Sequence, residues 1–136
     1  MPFRLNIALL ILRLAGAPPF LYHGSAILFG AFGGPGPERF AASQHMAPIV
    51  GYLVGLAQVG GGLALLLGVF TRIGAVCIMC VMAGAIKLVH WAHGFDIGQG
   101  GYEFALTQML VSLALLFTGP GKYAVSRLLP GWMREL

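Results

Sequence analysis

The sequence predicts an all-α, polytopic membrane protein built as an antiparallel bundle of four transmembrane helices. Of its 136 residues, 58% are hydrophobic and only 9% are charged, whereas a soluble domain carries about 25% charged residues. The apolar residues fall into four long segments, and roughly 20 residues of helix cross a hydrocarbon core. The net charge of +4 is scattered and includes no basic run, so no nucleic-acid partner is expected.

The first half of the chain predicts two long helices joined by a loop. The first helix covers about residues 5–29. Pro18-Pro19 is expected to interrupt and kink it, because proline lacks a backbone donor and clashes with the preceding turn. Gly30–Arg39 is too rich in glycine and proline to be helical. Phe40–Pro48 is interpreted as a short interfacial helix, and the second long helix covers about residues 49–69.

A stripe of small residues marks the packing face of the second long helix. Gly51, Gly55, Gln58 and Gly62 follow one another at spacings of four, three and four, so they share one face. Small residues on one face let helix backbones approach closely inside a membrane. We therefore expect Gln58 to point toward the other helices and away from lipid.

The second half of the chain predicts two more spans. After a tight turn at Thr71-Arg72, the third helix covers about residues 73–93 and the fourth about residues 102–117. Residues 122–136 form an amphipathic, basic tail. The whole chain, residues 1–136, is interpreted as a single transmembrane domain.

The basic residues predict the orientation in the membrane. One end of the predicted bundle holds Arg4, Arg13, Arg72, Lys122, Arg127 and Arg134. The other end holds Arg39, with Lys87 inside the third helix near that end. Because lysine and arginine concentrate on the cytoplasmic side, we expect a multi-pass protein of the cytoplasmic (inner) membrane with both termini in the cytoplasm.

Polar residues within the apolar segments form the main candidate site. His23, Lys87, His90 and Glu103 are expected in the outer third of the membrane and Gln58 near its middle. Ionisable groups in hydrocarbon are costly unless they face a cavity or one another. Lys87 and Glu103 can pair, and the two histidines can relay protons or hydrogen-bond a quinone carbonyl. The alternative is a structural network that fixes the register of the helices.

A histidine pair raises the question of a metal site. His90-x-x-His93 has a spacing that can hold a metal, with Asp96 or Glu103 as a further oxygen ligand. A pair of histidines at a helix end is more often interfacial. A metal is therefore an alternative that stays open and is not the expected cofactor.

Two cysteines and one arginine lie inside apolar segments. Cys77-x-x-Cys80 has the spacing of thiol redox motifs, but a disulfide within a helix would strain the backbone, and buried cysteine usually acts as a small apolar residue. Arg13 is expected to extend its side chain to the cytoplasmic surface, or else to bind the carbonyls that the proline pair frees.

Together the motifs resemble the DoxX family of small four-helix membrane proteins. The resemblance spans nearly the whole chain and is carried by Tyr22-His23-Gly24, Leu28-Phe29-Gly30, Gly33-Gly34-Pro35-Gly36, Leu56-Ala57-Gln58, Gly60-Gly61, Gly68, Thr71-Arg72, His90, Gly94-Phe95, Gly100-Gly101-Tyr102-Glu103 and Gly119-Pro120-Gly121-Lys122-Tyr123. The family often has a basic residue at the position of Ile27 and a glutamate at that of Gln58. The second difference weakens a proton-carrying role for Gln58.

The resemblance implies a function in quinone-linked redox chemistry, because the family is named for a subunit of a thiosulfate:quinone oxidoreductase. The chain would bind a quinone or a small apolar ligand at the outer polar residues. Whether it catalyses a reaction itself, as a subunit of a quinone-dependent oxidoreductase, stays open. The alternatives are a small-solute transporter and a scaffold that anchors a soluble oxidoreductase. The implied partners are the lipid bilayer, a soluble or membrane-bound oxidoreductase, and a second copy of the chain.

Overall fold

The computed structural model describes all 136 residues and contains helices, turns and no β-strand. The six α-helices are α1 (Phe3–Phe29), α2 (Gly36–Ser43), α3 (Pro48–Leu67), α4 (Thr71–Ala85), α5 (Glu103–Thr118) and α6 (Gly131–Arg134). Helix α4 continues as a π-helical turn at Ile86–His90 and a 3-10 turn at Trp91–His93. The predicted all-α class is confirmed.

Three of the helices are long and apolar enough to cross a membrane. They are α1, α3 and the continuous helix Thr71–His93. Large apolar side chains project outward from them, including Ile11, Leu14, Leu53, Leu56, Leu63 and Ile73, each at least 44% exposed. Soluble monomers rarely expose apolar surface on this scale. These outward faces are therefore surfaces for contact with lipid.

The segment before α3 differs from the sequence expectation. A loop was predicted for Gly30–Arg39 and a short helix for Phe40–Pro48, but α2 begins at Gly36 and ends at Ser43. Pro37 lies in the first turn, where a missing backbone N–H costs nothing. Glu38 in the same turn interacts favourably with the positive end of the helix dipole. The predicted interruption at Pro18-Pro19 is also wrong, because α1 is continuous through both prolines, while the kink there stays a prediction.

Helices α1 and α3 pack closely along the predicted glycine stripe. Gly51, Gly55, Gln58 and Gly62 are all buried, which confirms that Gln58 faces the protein interior. A Cβ added at Gly55 would lie 2.8 Å from the Cβ of Leu28 on α1. The backbones can approach this closely because glycine has no side chain.

The remaining helices follow around the bundle in chain order. Helix α3 packs against α4, α4 packs against α5, and α5 contacts α1 more lightly. The backbones of α3 and α4 are close where Gly61 faces Gly74, since a Cβ on Gly74 would lie 3.1 Å from the Gly61 carbonyl oxygen. We call the end with both chain termini and the α3–α4 turn the terminal end. The opposite end, with α2 and the segment Gly94–Tyr102, is the loop end.

A buried arginine joins three parts of the terminal end. Arg13 is only 2% exposed. Its Nε donates to the carbonyl of Leu65 at 2.7 Å, and Nη2 donates to that of Leu66 at 2.6 Å. Nη1 donates to the carbonyls of Pro120 and Tyr123, which follow α5. One guanidinium thus ties α1 to the end of α3 and to the segment after α5.

Both sequence expectations for Arg13 are wrong. Its side chain neither reaches the surface nor binds the carbonyls next to the proline pair. The last carbonyls of a helix have no partner within the helix and carry partial negative charge. The end of α3 therefore offers Arg13 acceptors at its own depth.

Two further polar contacts complete the terminal end. The Oδ1 of Asn6, which is 3% exposed, accepts a hydrogen bond from the backbone N–H of Lys122 at 2.7 Å. Arg72, at the start of α4, donates through Nε to the carbonyl of Leu116 on α5 at 3.0 Å. These contacts, with those of Arg13, close this end of the bundle.

The glycine stripe generates a test with two alanine variants. Gly55→Ala should destabilise the protein by about 1–3 kcal/mol, because its Cβ forces α3 away from Leu28. Gly60→Ala is the control, since a Cβ there meets nothing within 4 Å, and it should be neutral or stabilising by up to about 1 kcal/mol from helix propensity. Thermal unfolding in detergent measures both, and equal shifts would contradict the packing described.

The role of Arg13 is tested by replacing its donors with an apolar chain of similar length. Arg13→Met leaves the α3 carbonyls buried without donors, at about 1–3 kcal/mol each, so we expect a loss of about 3 kcal/mol or more. Arg4→Met is the control, because Arg4 is exposed on the same helix. Unfolding temperatures that fall equally in the two variants would show that Arg13 does not hold the terminal end together.

Candidate cavity at the loop end

A cavity of about 880 Å³ lies in the loop-end half of the molecule. Helices α1, α3, α4 and α5 form its walls, and Phe40, Met46 and Ile97 line it at the loop end. Its lining is mainly apolar, and the polar side chains on it are those of His23, Gln44, Gln58 and His90. A mainly apolar pocket with a few polar groups is the usual form of a small-molecule site.

Gln58 is the most deeply placed polar group on the cavity wall. The residue is 6% exposed, and its side-chain amide makes no hydrogen bond to the protein. Gly24 on α1 allows this placement, since a Cβ there would lie 2.8 Å from the Cβ of Gln58. The amide is not sealed off from the cavity, so a ligand in the cavity can hydrogen-bond it.

His90 lies on the cavity wall with a fixed ring orientation. Its Nδ1 lies 2.7 Å from the carbonyl oxygen of Gly100. Because a carbonyl only accepts, Nδ1 carries the proton, and Nε2 of the neutral ring is an acceptor. The ring belongs to the π-helical turn Ile86–His90, and such turns occur frequently at functional sites.

His23 lines the same cavity from α1. Its ring meets the ring of Tyr22 edge-on, with centroids 5.2 Å apart. The structure therefore brings His23, Gln58 and His90 together on the walls of one cavity, as the sequence predicted for these three residues.

Lys87 and Glu103 were predicted to join them, and they do not line the cavity. Lys87 is exposed, and the predicted Lys87–Glu103 ion pair does not form. The Oε2 of Glu103 instead accepts a hydrogen bond from the backbone N–H of Ile97 at 3.0 Å. Glu103 begins α5 directly after the Gly94–Tyr102 segment, so a backbone donor of that segment is the nearer partner. Its contact holds Ile97, a residue that lines the cavity.

The candidate metal ligands contact backbone atoms. The Nδ1 of His93 lies 3.1 Å from the carbonyl oxygen of Val89, and Asp96 Oδ1 accepts from the N–H of Gly98 at 2.8 Å. No three His, Cys, Asp or Glu side chains form a group that could hold a metal. The pair His90 and His93 thus has no third ligand.

Both cysteines line the cavity from α4 as free thiols. Cys77 is half-buried and Cys80 is exposed. Their predicted redox role stays a prediction, but their position next to the cavity is now defined.

The sequence interpretation missed the apolar wall of the cavity and one further polar pair. Val50, Val54 and Ala57 on α3 line the cavity, and their spacing of four and three on the face beside Gln58 was a signal for it. Gln108 and Ser112 are buried on α5, and the Gln108 Oε1 and Ser112 Oγ atoms have no partner. These two residues do not line the cavity, and a spacing of four on an apolar helix was their only sequence signal.

Comparison with known proteins assigns the family. The family model described as DoxX matches residues 8–91. The chain belongs to the DoxX family. The DoxX match confirms the resemblance seen in the sequence, and it includes His23, Gln58 and His90, whereas Glu103 lies beyond it. No curated protein and no solved structure matches the chain.

Proposed function

We propose that this chain is an integral membrane component of quinone-linked redox chemistry, and that its cavity binds a quinone or a similar small apolar ligand. The observation that carries the proposal is the amide of Gln58, which lies on the wall of a mainly apolar cavity and makes no hydrogen bond within the protein. An apolar ring suits the wall, and a carbonyl oxygen on that ring accepts a hydrogen bond from the amide. The link to quinone chemistry itself comes from the family resemblance.

A histidine on the cavity wall, His90, supports the same ligand class. The Nδ1 of His90 is engaged with Gly100, which leaves Nε2 for a ligand. A neutral ring accepts a hydrogen bond from a quinol hydroxyl, and a protonated ring donates one to a quinone carbonyl. His90 can therefore contact either redox state of a quinone. The electron transfer would take place with a soluble or membrane-bound oxidoreductase partner.

The size and shape of the cavity favour binding over permeation. Its volume of about 880 Å³ falls within the range of about 300–1,000 Å³ that small-molecule sites occupy. The contacts of Arg13 and Asn6 close the terminal end of the bundle. A transport path would have to open these contacts, whereas a binding site leaves them intact.

We also propose that α5 crosses the membrane as a fourth, antiparallel helix and that both termini are cytoplasmic. Helix α5 packs along α4 and exposes Phe104, Leu110 and Phe117. Its 16 residues span about 24 Å, and local thinning of the bilayer accommodates a short helix at modest cost. The six-to-two distribution of basic residues supports the orientation in the inner membrane.

Cysteine labelling tests the fourth span and the orientation together. In a Cys77→Ala, Cys80→Ala background, Gln99→Cys and Gly131→Cys place single thiols before and after α5. A membrane-impermeant maleimide applied to spheroplasts should label only Gln99→Cys, and disrupted membranes should label both. Labelling of both from outside would show that α5 does not span, and labelling of Gly131→Cys alone would reverse the orientation.

The ligand contact is tested with two buried glutamines. Gln58→Leu should weaken binding of a short-chain quinone about tenfold, which corresponds to about 1.4 kcal/mol. Gln108→Leu is the matched control, because Gln108 is 7% exposed and does not line the cavity. Calorimetric titration of the purified protein measures both affinities. Equal affinities for the wild type and Gln58→Leu would remove the assigned contact, and a wild type that binds no quinone would remove the proposal.

A further inference from the structure

We infer that the cavity takes its ligand sideways from the hydrocarbon interior, through a portal between α3 and α4, and that the ligand is therefore a ring-bearing molecule dissolved in the bilayer. This inference rests on the proposed function, because it names the source and the route of the ligand for the same cavity. The portal is framed by residues that line the cavity and are also exposed on the outside of the bundle: Leu53, Val76, Cys80 and Leu88.

The two helices that frame the portal are close at one end and apart further along. Near the terminal end, a Cβ on Gly74 would lie 3.1 Å from the Gly61 carbonyl oxygen. Further along the same helix, a Cβ on Gly84 would meet nothing within 4 Å, although Gly84 lines the cavity. The small residues thus bring α3 and α4 together toward the terminal end, and the two helices leave a gap next to the cavity.

The depth of this gap favours a ligand dissolved in lipid. The continuous helix Thr71–His93 has 23 residues, or about 34 Å, and Cys80 lies about 14 Å from its start at 1.5 Å per residue. The portal is therefore near the middle of a hydrocarbon core about 30 Å thick. A polar solute would have to leave water to reach it at the cost of its hydration, whereas a lipid-soluble ring is already there.

The lining at the loop end favours the same ligand class. Phe40, Met46 and Ile97 line the cavity on that side, so its wall is apolar there as well. A quinone with a hydrocarbon tail fits this arrangement in one orientation. Its ring oxygen contacts the buried amide of Gln58, and its tail leaves through the portal into the lipid.

The portal is tested by narrowing it with an exposed side chain, which does not disturb the core. Leu53→Trp enlarges a residue that is 57% exposed on the portal rim, and Leu56→Trp is the control, 60% exposed on the same helix but not on the cavity wall. The probe is decylquinone, and its binding and release are measured in phosphatidylcholine vesicles. Leu53→Trp should slow both rates tenfold or more, and Leu56→Trp should match the wild type.

A second pair of variants narrows the portal from α4. Gly84→Leu should slow the same rates, and Gly60→Leu should not, because Gly60 is equally open but lies away from the cavity.

Across quinones of increasing tail length at one aqueous concentration, the binding rate should rise with the concentration of the quinone in the membrane.

The outcomes separate the portal from the proposed function. Quinone binding that depends on Gln58 but has unchanged rates in Leu53→Trp and Gly84→Leu would overturn the portal alone. A binding rate that follows the aqueous concentration and not the membrane concentration would also overturn it. A wild-type protein that binds no decylquinone would overturn the proposed function and, with it, the ligand assigned to the portal.

Discussion

The buried guanidinium of Arg13 is the interaction on which the arrangement of the helices depends. An isolated charge inside the bundle would cost several kcal/mol, and Arg13 avoids this cost only because the end of α3 and the segment after α5 supply carbonyl acceptors. The acceptors gain as well, since the last carbonyls of a helix have no partner within it. Each partner thus depends on the other. Without α3 the guanidinium lacks acceptors, and without the guanidinium the last carbonyls of α3 lack donors.

This constraint explains why the two ends of the molecule differ. At the terminal end, polar side chains bind backbone atoms of other elements, and glycines let α3 and α4 approach closely. At the loop end, glycines bring α3 close to α1 and to α2, and a cavity of about 880 Å³ lies between α1, α3, α4 and α5. The glycine positions, together with Arg13, therefore determine where the helices pack closely and where a cavity remains between them.

The sequence predicted those features that depend on composition and on helical period. The apolar segments and the stripe of Gly51, Gly55 and Gly62 are local patterns, and the structure confirms the helical class and the packing face. The partners of Arg13 were not predictable in this way, because Leu65 and Tyr123 lie 52 and 110 residues away in the chain. Contacts over such distances depend on the way in which the helices are assembled.

For the candidate site, the sequence predicted the position of each residue along its helix, but not the direction in which its side chain points. His23 and His90 are expected at one depth and Gln58 deeper, and all three line one cavity. Lys87 has a similar depth and faces outward, while Glu103 binds the neighbouring backbone. The sequence places a residue along a helix with good accuracy. Its direction around the axis depends on an unbroken helical period, and the period changes at the π-helical turn that contains both Lys87 and His90.

Because of that π-helical turn, the direction of the His90 side chain depends on the number of residues in the turn as well as on their identity. The hydrogen bonds of a π-helical turn join residues five apart, so the turn contains one residue more than an α-helical turn. Each residue of an α-helix advances by about 100° around the axis. Deletion of one residue from Ile86–His90 would return this stretch to a regular α-helix and turn the imidazole by roughly that angle relative to the preceding turns. Relatives with and without this extra residue would then present different side chains to the cavity, even if the flanking residues were identical. A one-residue deletion in this turn would therefore change the site as a substitution does.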